Sequence, residues 1–143
     1  MYPGVDPQEL RLASVLESNA MARRRILYVE DNVANLALVR KVLEHSGVYE
    51  VVGAATGEDG LELARADPPA LVLLDLDLPG IDGISLAGVM RADPKLAAIP
   101  IVALSAGVMK REREQALAAG CARFLEKPFE IAELRALVQT ILA

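Results

Sequence analysis

The stretch ALVLLD, residues 70–75, decides the fold class of this chain. Five apolar residues in a row, followed by an acid, are typical of a strand that is buried on both faces of a sheet. A turn-rich segment continues to Gly83, and a helical pattern runs from Ile84 to Arg91. An aspartate where a buried strand gives way to a loop can reach a ligand at the sheet edge, so Asp75 is the first candidate site residue.

Strand and helix patterns alternate on both sides of that stretch. The predicted strands are 26–29, 48–54, 70–74, 101–104 and 122–125, and the predicted helices are 33–46, 57–66, 84–91, 108–119 and a last one from residue 131. This alternation predicts a parallel sheet with helices on both faces. We therefore expect an α/β, doubly wound fold with five strands in the order 2-1-3-4-5. In such sheets, ligands bind beyond the carboxyl ends of the strands.

The composition is typical of one globular domain. The 143 residues are 53% hydrophobic and 24% charged, and no apolar run approaches the roughly 20 residues that a membrane-spanning helix needs. The net charge of -5 argues against binding to a nucleic-acid backbone as the main task. The single cysteine, Cys121, excludes an internal disulfide framework and fits a reducing compartment such as the cytoplasm.

Residues 1–24 are expected to be an extension of a domain that spans residues 25–143. Ser18-Asn19-Ala20 before Met21 resembles a remnant of cloning, and Met21 resembles a second start. The alternative is a native linker or pairing helix, because Asp6-Pro7-Gln8-Glu9 has the capping pattern of a helix start. The sequence leaves both interpretations open.

Polar side chains close the predicted strands around Asp75. Glu30 and Asp31 follow the first strand, Ser105 follows the fourth and Lys127 follows the fifth. The carboxyl ends of parallel strands share one edge, so we expect these groups to converge. Clustered carboxylates repel one another without a cation, and Mg²⁺ accepts one or two carboxylates together with a phosphate oxygen. Carboxylate, cation, ammonium and hydroxyl together suit phosphoryl transfer, which depends on positioning and charge neutralisation.

Four blocks of the sequence resemble the successive signatures of bacterial response-regulator receiver domains. In chain order they are YVEDN at 28–32, LLDLDLPGIDG at 73–83, ALSA at 103–106 and FLEKPF at 124–129. The resemblance covers about residues 25–143, and all four blocks stand in the expected order at strand ends. It implies a regulatory switch in place of a metabolic enzyme.

The resemblance also assigns roles to the candidate residues. It implies that Asp75 accepts a phosphoryl group from a histidine kinase or a histidine phosphotransfer protein. It implies that Asp31 and Asp75 ligate Mg²⁺ (or Mn²⁺) directly, together with the backbone carbonyl of Asp77, while Glu30 acts through water. The side chain of Asp77 is expected to face solvent.

Further implications concern the phosphoryl oxygens and the output. Ser105 and Lys127 would bind phosphoryl oxygens, and the bond between Lys127 and Pro128 would be cis. Ser105 and Phe124 take the switch positions, although many members have tyrosine where this chain has Phe124. A downstream protein would contact the face formed by residues 108–143, and a homodimer stays open. Direct contact with nucleic acid or membrane is not expected.

Other functions agree with parts of the sequence. Asp75-Leu76-Asp77 has the form of the haloacid-dehalogenase-like phosphatase motif, but that motif normally follows the first strand and works beneath a cap insertion. A flavodoxin-like cofactor binder would want a glycine- and hydroxyl-rich loop where this chain has Glu30-Asp31-Asn32. A receiver fold used only for protein contacts would not need the complete polar set. The sequence also leaves open whether this is a stand-alone receiver or a module of a longer chain, such as a hybrid kinase.

Overall fold

Five parallel strands form the sheet of the computed structural model, which describes residues 7–8, 23–78, 81–106 and 110–143. The strands are β1 (Arg24–Val29), β2 (Tyr49–Ala54), β3 (Leu71–Asp75), β4 (Ile101–Ser105) and β5 (Arg123–Glu126). The helices that alternate with them are α1 (Val33–Glu44), α2 (Gly57–Ala66), α3 (Gly83–Ala92), α4 (Lys110–Ala118) and α5 (Ile131–Ile141). Strand and helix therefore alternate as the sequence predicts.

The strands lie in the order β2-β1-β3-β4-β5, which confirms the predicted order. The central strand β3 pairs with β1 on one side, where Val29 faces Leu74, and with β4 on the other, where Asp75 faces Leu104. Strand β5 pairs with β4 and closes that side of the sheet. These registers bring the carboxyl ends of four strands to one edge, so the residues that follow them can share one site.

Alternating residues of β3 supply two separate apolar layers. Leu71 and Leu73 face one layer, whereas Val72 and Leu74 face the other. The first layer takes Val39 and Leu43 from α1 and Leu134 and Val138 from α5; the second takes Ala64 from α2, Leu86 from α3 and Ala116 from α4. Because helices cover both faces of the central strand, all of its side chains are buried, and its sequence is therefore an uninterrupted apolar run.

Side-chain caps begin two helices where the sequence predicts them. Asn32 Oδ1 accepts the backbone N–H three residues further on at 3.0 Å, and Thr56 Oγ1 does the same at 3.1 Å. Helix α2 has the predicted bounds. Helix α1 ends at Glu44, ahead of the predicted residue 46, and Gly47 follows with a positive φ of 77°. Glycine adopts that conformation without the steric strain of a Cβ.

Strand β1 starts earlier than its apolar pattern predicts. Arg24 and Arg25 extend it, because they pair with Tyr49 and Glu50 of β2. Arg25 also forms ion pairs with Glu50 and Asp67, so its charge is balanced at the amino end of the sheet. The predicted strand begins only at residue 26, because charged residues at the start of a strand do not contribute to the apolar pattern from which the strand is predicted.

Some predicted features lie outside the described residues. They are the extension within residues 1–22, apart from the helical Pro7 and Gln8, and the first two residues of the fourth predicted helix, 108 and 109. Across the part of the chain that the structure describes, no helix has both the length and the apolar character that crossing a membrane requires.

Candidate functional site

The buried polar residues of the described chain meet at the carboxyl edge of the sheet. They are Asp75 at the end of β3, Ser105 at the end of β4 and Glu30 directly after β1, each no more than 3% exposed. Polar groups are rarely buried without partners, because losing water costs free energy that a hydrogen bond or a charge must offset. Their concentration at one edge therefore marks a functional site.

Three carboxylates of the site lie close enough to share one cation. Glu30, Asp31 and Asp75 each offer an oxygen, and these oxygens lie within 4.8 Å of one another. Asp31 is exposed, whereas the other two acids are buried. Hard divalent cations such as Mg²⁺ prefer carboxylate oxygens and keep several waters, which the exposed side of this cluster permits. The residues present thus fit the expected cation, and the predicted convergence of these acids is found.

Lys127 supplies the opposite charge within the same cluster. Its ammonium lies 2.9 Å from Asp75 Oδ2 and 3.4 Å from Glu30 Oε2. Burial disfavours the charged lysine, but hydrogen bonding to Asp75 and the charges of Asp75 and Glu30 outweigh that effect and raise the pKa of Lys127. The ammonium is therefore charged at neutral pH. The bond between Lys127 and Pro128 is cis, as predicted.

Glu30 is held by donors on both of its oxygens. Oε1 accepts the backbone N–H of Asn32 at 3.1 Å and the Asn35 side chain at 3.4 Å, and Oε2 accepts the Tyr28 hydroxyl at 3.2 Å. Burial raises the pKa of Glu30 above its ordinary value, and Asp75 adds to the rise, while the Asn32 N–H and Lys127 act in the opposite direction. Glu30 thus occupies a fixed orientation in an environment that disfavours its charge.

The environment of Asp77 combines solvent exposure with contacts to the end of β4. Its carboxylate is exposed, but it accepts the backbone N–H of Ala106 at 3.1 Å and lies 3.4 Å from Ser105 Oγ. The turn after β3, in which the Asp77 N–H donates to Asp75 Oδ1 at 2.9 Å, directs this side chain toward the end of β4. The side chain thus faces solvent, as expected, and its carboxylate also contacts the end of β4, which the sequence did not predict. The carboxylate therefore occupies the Ala106 N–H and places a negative charge beside the Ser105 hydroxyl.

The switch positions are connected to helix α4 by two adjacent residues. Glu112 Oε2 lies 3.4 Å from Ser105 Oγ, and the Arg113 guanidinium lies 5.4 Å from the centre of the Phe124 ring. That ring is half-buried on β5. A cation over an aromatic face is attracted to it electrostatically. Helix α4 thus touches the site through one residue and the predicted switch aromatic through the next.

A groove opens beside Lys127, between α1 and the segment after β5. It encloses about 360 Å³. Its lining consists of Tyr28, Asn35, Leu38, Val39, Ala106, Lys127, Pro128 and Phe129. The groove therefore connects the polar cluster to an apolar surface.

Sequence reasoning missed three residues of this site. Tyr28 stands two positions before Glu30 on a strand, so its side chain points to the same face, and this period-two relationship was a usable signal. Asn35 stands one helical turn after its capping residue. Glu112 reaches the site only through the tertiary path of α4, for which the sequence carries no local signal.

Comparisons with known proteins agree with this geometry. Residues 26–139 match the family model of the response regulator receiver domain. The polar-differentiation response regulator DivK of Brucella ovis is 34% identical over 108 residues, which are 76% of this chain and 87% of that protein.

Two solved structures show the same fold at similar identity. The receiver domain of a sensor histidine kinase from Pseudomonas aeruginosa, solved with a magnesium ion coordinated in its active-site cleft, is 35% identical with a TM-score of 0.77. The match covers 85% of this chain and 100% of that one. The phosphorylated cyanobacterial phytochrome response regulator RcpA is 31% identical with a TM-score of 0.72, over 84% of this chain and 91% of that one.

Proposed function

Because the chain belongs to the response regulator receiver domain family, we propose that it is a phosphorylation-dependent switch in which Asp75 accepts the phosphoryl group. Receiver domains are signalling proteins of two-component systems, and they interact with histidine kinases or phosphotransfer proteins. One observation carries the proposal. The buried Asp75 carboxylate contacts the Lys127 ammonium and lies within 4.8 Å of oxygens of Glu30 and Asp31.

The proposed step transfers a phosphoryl group from a phosphorylated histidine of the partner. A carboxylate oxygen of Asp75 forms a bond to phosphorus while the bond between phosphorus and the imidazole nitrogen breaks, and the electron pair leaves with the imidazole. Lys127, which contacts Asp75 before transfer, is expected to bind one phosphoryl oxygen, and the Ser105 hydroxyl is expected to donate to another. Lys127 would thus offset the negative charge of the phosphoryl group, and both residues would orient it.

The proposal includes a divalent cation at the carboxylate cluster. Mg²⁺ (or Mn²⁺) would be held by Asp31, by Asp75 and by the backbone carbonyl of Asp77, with Glu30 acting through water. The cation would offset negative charge on the phosphoryl oxygens. The support for it is the cluster itself, because three carboxylates lie close together and Lys127 pairs with only the two buried ones.

The partner's histidine needs a path to Asp75, and the groove beside the site supports one. It leads from Lys127 past Pro128 and Phe129 to Leu38 on α1. Leu38, which lines the groove, is 50% exposed, so apolar surface borders the entrance. Apolar patches rimmed by polar residues are typical of protein contact sites. The proposal therefore places the histidine-bearing surface of the partner on α1 and on the segment after β5.

The signal to a downstream protein is assigned to the side of the site that helix α4 contacts. We assign the switch roles to Ser105 and Phe124, and the contact with a downstream protein to the face of residues 108–143, of which the structure describes 110–143. The support is the pair of α4 contacts made by Glu112 and Arg113. A cytoplasmic location completes the proposal, and the oligomeric state stays open.

A labelling experiment tests the acceptor. The full chain is incubated with acetyl phosphate and Mg²⁺, and its intact mass is measured over time. Wild type should gain one phosphoryl group, Asp75→Asn should gain none, and chelation of the cation should abolish the gain. Asp77→Asn is the matched control and should still be labelled. Equal labelling of Asp75→Asn and wild type would show that the acceptor is wrong.

The phosphatase alternative finds less support. Its two acids follow the first strand, whereas here Asp75-Leu76-Asp77 follows β3, and the Asp77 carboxylate is occupied by the Ala106 N–H. Rapid multiple turnover of phosphomonoesters by the purified chain would favour that alternative over the switch.

A further inference from the structure

Tyr28 is a buried tyrosine whose hydroxyl lies beneath the carboxylate cluster. Its side chain is 1% exposed on β1, within the apolar layer that α1 and α5 cover. The hydroxyl donates to Glu30 Oε2 at 3.2 Å. A buried phenol needs a hydrogen-bond partner, and this one uses an acid of the proposed cation site.

Tyr28 and Lys127 share the same oxygen of Glu30, but they differ in how firmly they are held. The lysine has a flexible stem and a second, shorter contact with Asp75 at 2.9 Å. In the proposed reaction, this ammonium also turns to the phosphoryl group. The tyrosine ring is fixed by the packing of β1 and has no such second task. The phenol is therefore the donor that keeps Glu30 Oε2 in place throughout the cycle.

We propose that Tyr28 is a positioning residue, which orients Glu30 through its hydroxyl and thereby sets the affinity of the site for a divalent cation. The proposal rests on the proposed Mg²⁺-dependent function. Groups that hydrogen-bond to the ligands of a metal fix their orientation, and removing them typically weakens metal binding by about 10- to 100-fold. Tyr28 fits that role, because its hydroxyl donates to Glu30. A phenylalanine would fill nearly the same space without this donor, so the substitution isolates the effect of the hydrogen bond.

The main test measures Mg²⁺ affinity by isothermal titration calorimetry on the full chain. Tyr28→Phe should raise the dissociation constant about tenfold, with an unchanged circular dichroism spectrum. Tyr49→Phe is the matched control, because Tyr49 is also a buried tyrosine of the same layer but stands at the start of β2, at the opposite edge of the sheet. It should bind Mg²⁺ as wild type does. Equal affinity of Tyr28→Phe and wild type would overturn the inference.

A double-mutant cycle tests whether the effect passes through Glu30. In a Glu30→Gln background, adding Tyr28→Phe should change the Mg²⁺ dissociation constant by less than about twofold, because residues that act through one another are not additive. A full tenfold loss in that background would show a general packing effect and would overturn the inference. If wild type itself binds no Mg²⁺, the proposed function loses its cation and this inference falls with it. If wild type binds and Tyr28→Phe binds equally, only this inference falls.

Discussion

The Lys127 ammonium lies 2.9 Å from Asp75 Oδ2, closer than its 3.4 Å distance to Glu30 Oε2. The chain therefore balances part of the charge of its own acid cluster before any ligand arrives. One lysine charge stands against three clustered carboxylates, two of which it contacts, so the cluster stays negative and suited to a cation. This relationship makes the site sensitive to the loss of any one charge.

Removing the lysine charge should destabilise the metal-free protein. Lys127→Met leaves Asp75 and Glu30 buried without their cation, and we expect the free energy of unfolding in urea to fall by about 2 kcal/mol. The loss is smaller than for a fully buried pair, because the Lys127 side chain is 20% exposed. Added Mg²⁺ should restore part of it. Lys41→Met, at an exposed site on α1, should change stability little, and an unchanged Lys127→Met would contradict the pairing.

Neutralising Glu30 should stabilise the metal-free protein at neutral pH. Burial and the neighbouring Asp75 raise the pKa of Glu30 in the folded chain. The folded state then binds the proton more tightly than the unfolded state, so stability is lost as the pH rises through the folded pKa. In the presence of a chelator, Glu30→Gln should therefore be more stable than wild type at neutral pH. The gain should disappear below the ordinary pKa of glutamate.

Urea titrations from neutral pH to below the ordinary pKa of glutamate check whether Glu30→Gln raises or lowers the free energy of unfolding. Glu62→Gln, an exposed neutralisation on α2, serves as the control and should show no such pH dependence. A Glu30→Gln variant that is less stable than wild type at neutral pH, and equally stable in acid, would mean that the ionised acid stabilises the fold.

Removing the Asp77 charge should speed the phosphorylation of Asp75. The Asp77 carboxylate lies 3.1 Å from the Ala106 N–H and 3.4 Å from Ser105 Oγ, so it occupies donors and repels an incoming anion. Two unit charges at about 4 Å in water repel by roughly 1 kcal/mol, which corresponds to about fivefold in rate. Asp77→Asn should label about that much faster with acetyl phosphate, whereas Glu62→Gln should label at the wild-type rate. A slower Asp77→Asn would indicate that this carboxylate assists the reaction.

Two glycines on one helix should respond in opposite directions to alanine. A Cβ on Gly83 would lie 2.9 Å from Leu76 Cα and 3.2 Å from the Asp75 carbonyl, so the backbone at the end of β3 would have to move. We expect Gly83→Ala to lose about 1–3 kcal/mol of stability. Gly88 meets nothing within 4 Å inside α3, so Gly88→Ala should gain up to about 1 kcal/mol from helix propensity. Thermal unfolding of both variants checks the pair, and a loss of stability in both would contradict the geometry.

The contact between Arg113 and Phe124 should contribute modestly to stability. An exposed cation–π pair is worth about 0.5–1 kcal/mol, so Arg113→Gln should lose about that much in urea. Arg111→Gln, at an exposed position on the same helix two residues before Arg113, is the control. In a Phe124→Leu background, Arg113→Gln should have no further effect. A persistent effect there would show that Arg113 acts through another group.

The framework of the fold was predictable because the central strand is buried on both faces. The run of residues 70–74 and the acid that ends it fixed β3, and parallel pairing then placed Glu30, Ser105 and Lys127 at the same edge. These are consequences of strand direction and of topology, which depend on patterns spread over the whole chain. The family resemblance covered the same residues.

The contacts that the sequence did not predict join side chains that are distant in sequence, so no local sequence pattern indicates them. Arg24 and Arg25 joined β1 because Glu50 and Asp67 balance the charge of Arg25, and both acids are distant in sequence. The Asp77 carboxylate contacts the Ala106 N–H because the turn after β3 directs its side chain toward the end of β4. Contacts of this kind are decided by the assembled structure and not by periodicity.

The sheet keeps its two apolar layers apart, and this separation has an evolutionary consequence. Leu73 packs with α1 and α5, while its neighbour Leu74 packs with α2, α3 and α4. The two layers share a backbone but not a set of interlocking side chains, so substitutions that repack one layer leave the other intact. Substitutions in α1 and in α4 can therefore accumulate independently of one another. Duplicated copies of such a domain can diverge on one face of the sheet without losing the common fold.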